Sequence, residues 1–164
     1  ELLATMGADA SGLVTHAGLN EYSGEALYSA YTGGADPIVQ QRSDFKGYWR
    51  IFRAAMQSWA DGTLENMPES WGQFGDRRRG AVAVAANGLE RNDVALVVSS
   101  GGAIGRLLGE ITGAPSSTAI EFNLQFRNTG FCELVSVADS LRVASFNNVP
   151  HLEFPDRRHA ITYA

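Results

Sequence analysis

The stretch from Asp93 to Gly113, DVALVVSSGGAIGRLLGEITG, constrains the fold more than any other. The apolar run 94–98 shows no alternation and stops abruptly at two serines and two glycines. Such a run suits a strand buried on both faces, the parallel-sheet type. Ile104, Leu107, Leu108 and Ile111 then fall on one helical face, and Gly113 and Pro115 close that helix. In open α/β sheets ligands bind beyond the carboxyl ends of strands. A helix N-terminus there offers free N–H groups and a partial positive charge. The turn at 99–102 is therefore a candidate site for a phosphate or a carboxylate. The same residues also suit a plain strand-to-helix turn, with Ser99 or Ser100 as the helix cap. No Gly-Lys-Ser/Thr follows, and the G-x-G-x-x-G fingerprint is absent, so neither a P-loop nor a dinucleotide motif is present.

The rest of the chain is mostly helical in pattern. ELLATMG, residues 1–7, reads as the last turns of a helix stopped by Gly7. GLVTHAGLNEYSG, from residue 12, is a short apolar piece followed by a polar, glycine-bounded loop. Phe45, Tyr48, Trp49, Phe52, Met56 and Trp59 recur every three or four positions and predict an amphipathic helix. A second helix is expected from about Ser70, carrying Phe74, Ala81, Val82, Ala85 and Leu89 on one face and ending at the Arg91-Asn92-Asp93 stretch. Thr118 to Glu121 matches a capping box that would open a short helix. GFCELVSV and LRVASFN read as a strand pair, with Asn128 as a turn residue before it. Helices alternating with a buried strand give an α/β class with a mostly parallel sheet, a single domain over 1–164 that lacks a first strand.

Composition narrows the function. The net charge of −5 argues against a nucleic-acid or acidic-membrane binder. Arg77, Arg78 and Arg79 form the one dense basic cluster and read as a solvated helix face. No apolar run approaches the roughly 20 residues of a membrane helix, and nothing reads as a signal peptide. The single cysteine, Cys132, excludes an internal disulfide and a cysteine-based zinc site within one chain. A reducing cytoplasm is the expected location.

With its flanks, LVVSSGGAIGRLLGE resembles the second active-site motif of the histidine phosphatase superfamily, the phosphoglycerate mutase-like proteins. GLNEYSGEAL, residues 18–27, resembles the loop that carries that family's acid-base glutamate. RNTGFCELVSV and FNNVPHLE resemble its C-terminal strand pair and its ending. The four stretches agree in order and spacing. The resemblance implies a three-layer α/β/α fold. It implies transfer of a phosphoryl group from a phosphomonoester to a histidine, then to water or a second hydroxyl, with no metal and no other cofactor. Glu21 aligns with the residue that protonates the leaving oxygen, which requires a carboxyl whose pKa is raised toward working pH. Ser100, Gly101 and Gly102 would hold the phosphate, and Asn20 and Tyr22 would line the pocket. The expected partner is a small phosphorylated substrate or phosphate itself, and an incomplete sheet with an exposed edge invites homo-oligomers.

Two departures from the family pattern stand out. The N-terminal Arg-His-Gly motif, which carries the nucleophilic histidine, is absent, and none of His16, His151 and His159 lies in that context. About the first third of the family domain is expected to be missing. Ser100 also stands at the second histidine's position, and a serine supplies a hydrogen bond without charge. A non-catalytic phosphate-binding or regulatory domain is therefore the alternative, and a nucleotide-binding oxidoreductase domain the more distant one.

Overall fold

A computed structural model describes residues 12–138 and 140–163. The expected helix tail at 1–7 lies outside the described residues. Six helices come first: α1 Gly24–Thr32, α2 Pro37–Ser43, α3 Phe45–Ala60, α4 Trp71–Ala86, α5 Gly101–Thr112 and α6 Ser116–Leu124. A hairpin follows, β1 Phe131–Val137 and β2 Ser140–Asn148. Short 3-10 turns occupy Ala17–Leu19 and Arg158–Ala160.

Local signals set most helix starts. Ser23 Oγ accepts from the Ala26 amide at 3.1 Å at the head of α1, and Asp36 caps α2 ahead of Pro37. Asp44 accepts from Gly47 N at 2.9 Å to start α3. Ser70 and Gln73 form a reciprocal capping box at α4. The aromatic stripe of α3 then turns inward. Phe52, Met56 and Trp59 join Tyr22, Leu27, Tyr28, Phe74 and Ile120 in the core. Each such side chain contributes about 1.5–3 kcal/mol of burial. Phe45, at the open end of the stripe, stays exposed.

Helix α5 buries a narrower face than its large apolar residues suggest. A Cβ on Gly105 would lie 2.6 Å from Asn123 N, and one on Gly109 would lie 2.5 Å from the Ala119 Cβ. Glycine is what lets α5 and α6 touch at backbone distance. Leu108 is buried, whereas Ile104, Leu107 and Ile111 are only half-buried.

Several expectations are corrected. The run 94–98 forms no strand; Val94 is 90% and Val98 63% exposed. A strand exists only through its ladder, and no described strand lies beside this one. The sheet is the antiparallel pair β1–β2, with register shifts between Phe131 and Leu134. The described residues are thus a mixed α/β fold, and no parallel three-layer sheet forms among them. Helix α4 ends at Ala86, so Leu89 lies beyond it and is exposed. Helix α6 starts directly after Pro115 with no side-chain cap, and the Thr118–Glu121 box falls inside it. The strand pair at 130–137 and 141–147 agrees with β1 and β2.

Candidate functional site

The loop before α1 is shaped by its own sequence. His16 Nδ1 accepts from Gly18 N at 2.9 Å and starts the 3-10 turn, a capping role for this histidine. The chain leaves the turn extended at Asn20. That brings Glu21 to the N-terminus of α5. Glu21 Oε2 accepts from Gly102 N at 2.9 Å, and Oε1 accepts from Tyr22 N at 3.0 Å.

The turn at 99–102 meets this loop. Ser99 Oγ donates to Leu19 O at 2.6 Å. Ser100 occupies the cap position of α5, yet its hydroxyl makes no cap bond. Ser100 Oγ is buried and has no hydrogen-bond partner among the described residues. The expected serine cap is therefore replaced by a carboxylate from elsewhere in the chain, at the helix end that favours negative charge. Gly102 permits this. A Cβ there would lie 2.3 Å from Glu21 Oε1 and 2.5 Å from Tyr22 Cε1.

Tyr22 anchors the loop from below. Its ring packs edge-on against Phe74 at 5.4 Å and beside Trp59 at 5.3 Å. Its hydroxyl accepts from Asn123 Nδ2 at 3.1 Å. Burial, and then the neighbouring Glu21 carboxylate, push its phenol above the ordinary value. Tyr22 is thus a core residue under the loop, while Asn20 is exposed and contributes its carbonyl.

The arginine run is not a solvated face. Arg78 is 1% exposed, its guanidinium lying on the Phe74 ring. Arg78 Nη1 donates to Phe74 O, and Nη2 donates to Asn20 O at 2.8 Å. Its Nε is buried without a partner among the described residues. Burial, and after it Arg77, pull this guanidinium down to about 9. Arg77 pairs with Glu69 and reaches the carbonyls of the 17–21 loop. Only Arg79 fits the solvated reading; it pairs with Asp76 and Glu110 and is 54% exposed. A signal for this was present. Arg78 falls between Phe74 and Ala81 on the apolar face of α4, at helical spacing from both.

The structure therefore brings Glu21, Tyr22 and the Leu19 carbonyl against the 99–102 turn, while the Asn20 carbonyl meets Arg77 and Arg78 instead. The result is a carboxylate bonded to the Gly102 amide beside an unpartnered hydroxyl at one helix end. His151 lies elsewhere, its Nε2 2.8 Å from Thr129 Oγ1, and His159 sits in the exposed C-terminal turn. Among the described residues no cluster of three or more His, Cys, Asp or Glu side chains is placed to hold a metal ion. No helix among them is long and apolar enough to cross a membrane. A cavity of about 700 Å³ between α3, α6 and the C-terminal segment shares no lining residue with the Glu21 turn.

The model of the histidine phosphatase superfamily (branch 1) matches residues 38–149, more than half of the chain. The match includes the 99–102 turn, Arg77 and Arg78, and it begins after Glu21. No curated protein and no solved structure matched the chain.

Proposed function

This chain belongs to the histidine phosphatase superfamily (branch 1), and from that membership and the Glu21 turn we propose a phosphohydrolase or phosphomutase acting on phosphomonoesters. The observation that carries the reading is the Glu21 carboxylate on Gly102 N, beside the unpartnered Ser100 hydroxyl. On this reading phosphate displaces the Glu21 carboxylate from Gly102 N, and the Ser100 hydroxyl and the Gly101 and Gly102 amides hold the phosphoryl oxygens at the positive end of α5. Glu21 gives its proton to the leaving oxygen as the P–O bond breaks. The phosphoryl group passes to a histidine supplied from outside these 164 residues and then to water or a second hydroxyl. A phosphate dianion beside Glu21 favours the protonated carboxyl, which is the form an acid catalyst needs. No metal enters the scheme. Ser100 offers one hydrogen bond where the family has a charged imidazole, so the site stabilises the transferring group less.

That same serine favours a second reading, a domain that binds a phosphorylated ligand without turnover. The two separate on one assay: hydrolysis of p-nitrophenyl phosphate by the natural full-length polypeptide and its Glu21→Gln variant. Loss of a positioned acid lowers kcat by roughly 10²–10⁴, and that is the expected result. Equal turnover in the variant removes Glu21 from the chemistry. An inert wild type hands the site to the binding reading.

A further inference from the structure

Five successive carbonyls, from Ala17 to Glu21, all accept from side chains of other elements. Arg77 supplies four of them. Its Nη1 lies 3.3 Å from Ala17 O, 3.2 Å from Gly18 O and 2.6 Å from Asn20 O, and its Nη2 lies 3.4 Å from Glu21 O. Ser99 takes Leu19 O, and Arg78 shares Asn20 O. The guanidinium is itself held, with Nε 2.7 Å and Nη2 2.6 Å from the two Glu69 oxygens. A planar fork can grip a carboxylate on one side and carbonyls on the other, which a lysine ammonium cannot do.

We propose that Arg77, locked by Glu69, is the positioning residue that sets Glu21 against Gly102 N. The proposal rests on the assignment of Glu21 as the acid, but the placement it explains is independent of turnover. Arg77 touches only the backbone of the loop, so its effect passes through where Glu21 stands. The loop has three other restraints. Tyr22 is fixed in the core, Ser99 holds Leu19, and Arg78 holds Asn20. None of them reaches the Glu21 carbonyl. Without Arg77 the fold keeps its core while the carboxylate loses its fixed reach to α5.

The Gly102 amide reports this directly. A carboxylate that accepts from an amide shifts that amide's proton resonance as it titrates. Within these 164 residues, glycines labelled at the carbonyl carbon and at nitrogen single out only Gly34 and Gly102, because Gly33-Gly34 and Gly101-Gly102 are their two Gly-Gly pairs. In the natural full-length polypeptide the Gly102 amide resonance should move as pH is lowered. Glu21→Gln should abolish this, which separates Glu21 from Glu69, the other carboxylate near Arg77. The Tyr22 phenol, pushed up by burial, and Arg78, pulled down only to about 9, each keep one form at and below neutral pH.

Arg77→Met should lose the Gly102 titration while still unfolding cooperatively. Arg77→Lys, which keeps the charge without the fork, should lose it as well and serves if the methionine variant does not fold. If both variants melt earlier yet keep the full Gly102 titration, Arg77 is only a brace and the proposal falls. A wild-type Gly102 titration that survives Glu21→Gln overturns it too. On p-nitrophenyl phosphate, Arg77→Met should lower kcat with KM unchanged. A polypeptide with no turnover at all defeats the phosphatase reading and leaves the amide result to decide the placement.

Discussion

Glu21 and Tyr22 are neighbours with opposite fates. One carboxylate stands at a helix end open to solvent, and the next ring is buried. The Tyr22 phenol is held above its ordinary value of 10.0, chiefly by burial. A group kept protonated by folding contributes stability that is complete below its unfolded pKa and is lost as pH rises beyond it. Arg78, pulled down to about 9, acts in the opposite sense, since its buried charge is relieved as pH rises past that value. The difference between wild type and Tyr22→Phe isolates the tyrosine. At neutral pH the variant should lose about 1–3 kcal/mol, because Asn123 is left without its oxygen acceptor. That deficit should shrink above about pH 10 in denaturant titrations. A deficit that stays constant with pH would contradict the buried, neutral phenol. At this scale the sequence singles out residues but not their partners. Glu21 and Gly102 are 81 positions apart, and nothing local marks the bond between them. Ser100 has the residue type of a cap and does not act as one, because the competing acceptor is a charged side chain from another loop.

Among the elements, α3, α4 and the hairpin are legible because periodicity and capping act within a few residues. Helix α5 is legible in extent, ending at Gly113 with φ 66°, but its buried face is not. Large apolar residues draw attention to Ile104, Leu107 and Ile111, while glycines make the contact. Alanine at Gly105 gains about 1 kcal/mol of helix propensity, against about 1–3 kcal/mol for overpacking a rigid contact. The backbone of Asn123 is the obstacle and cannot rotate away, so Gly105→Ala should be net destabilising. Gly80 on α4 meets nothing within 4 Å, and Gly80→Ala should stabilise by up to about 1 kcal/mol. Denaturant midpoints of the two variants should move in opposite directions. A shared direction would refute the close approach of α5 to α6.

For the whole molecule, helices and one hairpin account for the described structure, and the apolar run 94–98 stays uncovered. The composition of that run reads as a buried strand, yet among the described residues it is neither paired nor covered. Which neighbour would pair with it is a long-range property that no local pattern encodes. Exposed Val94, Leu96 and Val98 form an unpaired apolar stretch, which favours association. Sedimentation velocity of these 164 residues should show association that grows with concentration and weakens in a Leu96→Lys, Val98→Lys variant. A monomer at every concentration would mean that the stretch is not adhesive. The net charge of −5 gives no general attraction for anions, so the proposed phosphate site rests on the local donors at α5.

The most direct test of that central claim is a titration of inorganic phosphate, followed on the Gly101 and Gly102 amides of the natural full-length polypeptide and of Glu21→Gln. The account predicts saturable shifts at both amides. It also predicts tighter binding in the variant, roughly five-fold or more, because two like charges about 4 Å apart repel by at least ~1 kcal/mol. Amides that ignore phosphate in both proteins, or shifts confined to another face of the molecule, would contradict it.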